Sequence, residues 1–92
     1  MPPARDHLAA QETYLENELR RQIRAPIKEI SLKKVPGTSG YKVQPTITSG
    51  NEEKTLSLEL PFAASALLLC NKSDLNALAK AIMTDLKHMI VS

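Results

Sequence analysis

Few side chains in this 92-residue sequence are of the types that do chemistry, and their spacing assembles no familiar set. Histidine occurs at His7 and His88, and cysteine once, at Cys70. A tetrahedral zinc site draws three or four ligands from such residues, so no metal centre is expected. Cys70 follows Leu67-Leu68-Leu69, the setting of a small core residue rather than of a nucleophile beside a base. Glu52 and Glu53 adjoin one another in a turn-forming stretch. Carboxylate pairs that do acid–base work face each other across a cleft, so these two are read as solvated. Gly37, Gly40 and Gly50 open neither a Walker-type phosphate loop nor a GxGxxG turn. The expectation is a protein with no catalytic residues and no cofactor, and not an enzyme.

Charge offers the one partner-shaped signal. Residues 1–19 set Arg5 against Asp6, Glu12, Glu16 and Glu18, whereas residues 20–34 hold Arg20, Arg21, Arg24, Lys28, Lys33 and Lys34 against Glu29 alone. Six cations in one stretch are candidate phosphate contacts. Two of them have helical partners, because Glu16 stands four residues before Arg20 and Glu18 three before Arg21. Tyr14, Tyr41 and Phe62 are the only aromatic residues, too few for a platform that stacks bases.

The elements that position these residues follow from periodicity. Pro2 and Pro3 give residues 1–5 the character of a flexible lead. Over 7–24, Leu8, Leu15, Leu19 and Ile23 fall on one narrow stripe of a helix, ended by Ala25-Pro26. Strand-like alternation follows around Ile30 and Leu32, then through Tyr41, Val43 and Ile47, then through Leu56, Leu58 and Leu60. Pro45 cannot donate to a ladder, which predicts an edge position or a bulge for the second strand. Ala66–Cys70 is a short apolar run, read as a buried strand closing a sheet region over 27–70. Asn71 and Asp74 form a capping box for a last helix over 72–90, whose Leu75, Leu78, Ala79, Ile82, Met83, Leu86, Met89 and Ile90 make a broad apolar stripe.

The fold class expected is α+β: one domain over 1–92, with a small, mostly antiparallel sheet of three or four strands in the order α-β-β-β-(β)-α, in two layers. The C-terminal helix should take the sheet's apolar face. Double-stranded RNA-binding domains share this order of elements, but their Gly-Pro-x-His turn and Lys-Lys-x-Ala-Lys helix start have no counterpart in Pro36-Gly37-Thr38-Ser39-Gly40 or Asn71-Lys72-Ser73-Asp74. The function expected is a binding or regulatory module acting through protein–protein contact. Its partner surface would be the narrow seam of Leu8, Leu15, Leu19 and Ile23, pairing with another protein or with a second copy as a homodimer. The alternatives are nucleic-acid binding through the six cations, or a structural subunit of a larger viral or secretion assembly. The lone cysteine, the absence of an apolar run long enough to span a membrane, and an opening without a signal-peptide stretch lead to the expectation of a cytoplasmic protein with no membrane partner.

Overall fold

The computed structural model describes residues 4–91. Helix α1 (Ala4–Arg21) leads into strands β1 (Ile27–Lys34), β2 (Gly40–Ser49), β3 (Glu52–Thr55) and β4 (Leu58–Ala63), followed by the short helix α2 (Ala64–Leu68) and helix α3 (Lys72–Val91). This is the expected α+β architecture, with one antiparallel sheet and helices before and after it. Of the expected lead over 1–5, residues 1–3 lie outside the described residues, and Ala4 and Arg5 are already helical.

Strand β2 is the centre of the sheet. It pairs with β1 on one side and with β3 and β4, laid end to end, on the other. Thr46↔Thr55 and Val43↔Leu58 belong to one register, so β3 and β4 are two halves of a single long strand. Pro45 explains the break. Its carbonyl accepts from the Leu56 N–H at 2.9 Å, and a residue's N–H lies on the same side of the strand as its C=O. The donor that proline lacks is therefore the one that would close the ladder at Leu56. The expected edge position for this strand is thus corrected: β2 tolerates proline at its centre by interrupting the facing strand. The hairpin between β2 and β3 turns on Gly50-Asn51, with Gly50 at φ 63°, the conformation a two-residue turn with glycine in first place requires.

The run Ala66–Cys70, expected as a strand, is instead the end of α2 and its exit turn. A one-turn helix leaves its last carbonyls unpaired. Here the exit turn returns the Leu69 N–H to Ala66 O and the Cys70 N–H to Leu67 O, and Gln11 of α1 adds its Nε2, donating to Leu67 O at 2.8 Å and to Cys70 O at 2.7 Å. The capping box of α3 forms as its sequence predicts, with the Asp74 N–H donating to Asn71 Oδ1 at 2.8 Å and the Asn71 N–H to Asp74 Oδ2 at 3.0 Å.

One core joins both long helices to the sheet: Leu15 and Leu19 from α1, Ile27, Ile30, Tyr41 and Val43 from the sheet, Leu67 from α2, and Leu75, Ala79, Ile82, Met83 and Leu86 from α3. Helix α1 packs along β1, and α3 lies against α1. The two helices run in the same direction. Tyr14 donates to Asn76 Oδ1 at one end, and Arg24 faces Met83, Lys87 and Ile90 around a hollow at the other. The C-terminal helix, expected on the sheet's apolar face, shares that core with α1, which runs along the edge strand β1.

Candidate functional site

The predicted partner seam is inside the protein. Leu15 and Leu19 are 0% exposed within the single chain, and Leu8 and Ile23 are half-buried against the same core. The seam is narrow because its flanks carry polar side chains that work across the sheet edge, not because it awaits a helix from another molecule. Leu15 and Leu19 are thus out of reach of any partner, and Leu8 and Ile23 present only part of their surface.

The six cations do not gather into one patch. Arg20 pairs with Glu16 at 3.3 Å and Arg21 with Glu18 at 2.8 Å, the two helical pairs the spacing predicts. Lys28 reaches across the sheet to Glu53 at 2.6 Å, and its pKa is raised by that hydrogen bond and by the Glu53 charge. Lys34 stands 3.6 Å from Glu12. Arg24 lines the hollow beside Pro26, Ile27 and Lys87. Lys33 lies opposite Lys42 in the β1–β2 register, and Lys42 lies opposite Glu59 on its other side, so this polar row is mixed in sign.

The two edges of the sheet are treated differently. On β1, Glu16 Oε2 accepts the Leu32 N–H at 2.9 Å, and Arg20 Nε donates to Ile30 O at 3.3 Å. Carboxylate and guanidinium, four residues apart on α1, supply the acceptor and donor that a further strand would supply. Next to them Tyr41 donates to Glu12 Oε2 at 2.6 Å. Burial, and then the Glu12 carboxylate, push the Tyr41 phenol well above its ordinary range. Glu12, Glu16, Lys33, Lys34 and Tyr41 border a polar hollow of about 240 Å³, in which Glu12 is shared by Lys34 and Tyr41 while Glu16 is paired with Arg20.

No described element pairs with the outer side of β3 and β4. Because the Leu56 N–H points inward to Pro45, alternation directs the backbone groups of residues 53, 55, 57 and 59 outward. Glu53, Thr55, Ser57 and Glu59 are all exposed. On the helix side of the same strand, Leu56, Leu58, Leu60 and Phe62 remain only half-buried. Beyond Phe62 an apolar groove of about 360 Å³ continues along Ala66, Cys70, Ala77 and Leu78. This strand, with open backbone groups and an apolar flank, is the candidate site. The sequence signal for it is the alternation Thr55-Leu56-Ser57-Leu58-Glu59-Leu60, which by itself does not distinguish an edge strand from a central one.

Cys70 is half-buried, its Sγ donating to Ala66 O at 3.2 Å, and burial followed by the Asp74 charge raises its pKa. Among the described residues no group of three His, Cys, Asp or Glu side chains could hold a metal ion, and no helix is long and apolar enough to cross a membrane. No family model, no curated protein and no solved structure matches the chain.

Proposed function

We propose that this chain is a non-enzymatic binding module that acts through protein–protein contact, and that its contact surface is the outer edge of strand 52–60 rather than helix α1. The observation that carries this reading is the contrast between the edges: Glu16 and Arg20 occupy the Leu32 N–H and Ile30 carbonyl of β1, and no described strand pairs with the outer side of β3 and β4. An added strand would satisfy the outward groups of residues 53–59 and complete the burial of the half-buried Leu56, Leu58 and Leu60.

Capture from an extract of the native host, after nuclease treatment, tests the reading. Thr55→Pro removes an outward N–H and leaves the ladder to β2 intact, so capture should be lost with it and retained with Lys33→Glu. Capture should also depend weakly on salt. Binding that needs nucleic acid, and falls by about one log–log unit per phosphate contact as salt rises, would replace this proposal with the nucleic-acid alternative.

A further inference from the structure

We infer that the strand seated on this edge is its own counterpart in a second copy, paired antiparallel about a two-fold axis at Ser57, so that two sheets become one. This rests on the edge reading above and names its partner. In an antiparallel pair, residues with outward backbone groups must face one another, which allows only a few registers for residues 53, 55, 57 and 59. Centring on Leu56 sets Glu53 against Glu59, two like charges in direct opposition. Centring on Leu58 sets Thr55 against Pro61, which has no N–H to give. Centring on Thr55 sets Leu56 against Lys54 and leaves Leu60 beyond the paired span. Centring on Ser57 sets Thr55 against Glu59 and Leu56 against Leu58, keeps the pairing from 55 to 59 complete, and confines Pro61 to the outermost pair, where it faces Glu53 and still offers its carbonyl.

This register also suits the charges and the apolar flank. Glu53 is held by Lys28 at 2.6 Å, and Glu59 lies opposite Lys42 within its own sheet, so no unbalanced carboxylates meet across the axis. Leu56 and Leu58 of one copy meet Leu58 and Leu56 of the other at a non-hydrogen-bonded position, where facing Cβ atoms stand about 4.5–5.5 Å apart. The half-buried row becomes the middle of a shared core. A two-fold contact of this kind is isologous and closes on itself, with no further strand left to recruit.

Light scattering on the full chain over a range of concentrations reads the mass directly. The wild type should rise to twice the 10.1 kDa of one chain. Ser57 faces itself across the axis, so Ser57→Lys alone and Ser57→Glu alone should each stay at the mass of one chain with an unchanged circular dichroism spectrum. Mixing the two should restore the double mass. These variants leave the backbone untouched, and Thr55→Pro provides the matching backbone test. A wild type that stays single at every concentration overturns self-pairing, while loss of partner capture on Thr55→Pro still upholds the edge reading. A dimer that persists in both single-charge variants overturns the Ser57 axis. A dimer indifferent to Thr55→Pro as well overturns the edge.

Discussion

Leu15→Ala is the substitution that decides where helix α1 belongs. Leu15 is 0% exposed and stands in one core with Leu19, Ile30, Val43 and Leu86. Truncation removes three carbons, worth about 2.4 kcal/mol at roughly 0.8 kcal/mol per buried methylene. The cavity left behind adds to this, and buried Leu→Ala changes span about 2–5 kcal/mol. A value near 3 kcal/mol is expected, against a total of roughly 5–14 kcal/mol for a chain of 92 residues at 0.05–0.15 kcal/mol each. In urea, with a slope of about 1–2 kcal/mol per molar, the midpoint should fall by roughly 1.5–3 M, read by circular dichroism. The loss should not depend on protein concentration, because the seam is filled by the same chain. Leu15→Asp with Leu19→Asp should abolish the fold. A loss under about 0.5 kcal/mol, or a charged double variant that folds as a monomer, would refute the placement of α1 in the core and restore its seam as a partner surface.

Other substitutions probe single features. Gln11→Ala leaves the Cys70 carbonyl without its side-chain donor and the Leu67 carbonyl with the Cys70 N–H alone and should cost about 1–3 kcal/mol in a denaturant titration, with faster hydrogen exchange confined to α2. The raised pKa of Tyr41 means the folded state keeps its proton above the ordinary phenol range near 10. The stability so gained is complete below about pH 10 and is lost as pH rises beyond it, and Tyr41→Phe should flatten that alkaline decline. Cys70, with its thiol pushed up by burial, should react slowly with a thiol reagent in the native protein and quickly in urea; equal rates would show it fully accessible. Gly50→Ala meets no neighbouring atom within 4 Å but must adopt a φ of about 63°, so it should cost about 1–2 kcal/mol through backbone strain alone.

Periodicity was legible wherever burial is one-sided. The stripe of α3 and its capping box formed as read, because eight apolar positions at helical spacing admit one solution. The pairs Glu16–Arg20 and Glu18–Arg21 were legible because they are local. What sequence could not yield was anything decided by contact between distant segments. Ala66–Cys70 has no period of its own, and its exit turn is tied to Gln11, more than fifty residues earlier, which donates to the Leu67 and Cys70 carbonyls. Pro45 was read by its local rule, which holds, but the cost fell on the facing strand. That transfer placed the true edge one strand further out.

The narrowness of the α1 seam misled for an instructive reason. A helix that lies along the border of a sheet needs apolar residues toward the core on one side and hydrogen-bonding residues toward the open strand on the other. Leu15 and Leu19 do the first. Glu12, Glu16 and Arg20 do the second, reaching Tyr41, the Leu32 N–H and the Ile30 carbonyl. Such a helix has the same pattern as one that pairs with a partner through a thin apolar stripe, because in both cases charge flanks a seam. The distinction lies in what the charges touch, and here they close one edge of the sheet. With those groups on β1 occupied, residues 53–59 offer an outward run of backbone groups that no described strand pairs with, flanked by half-buried leucines on the helix side.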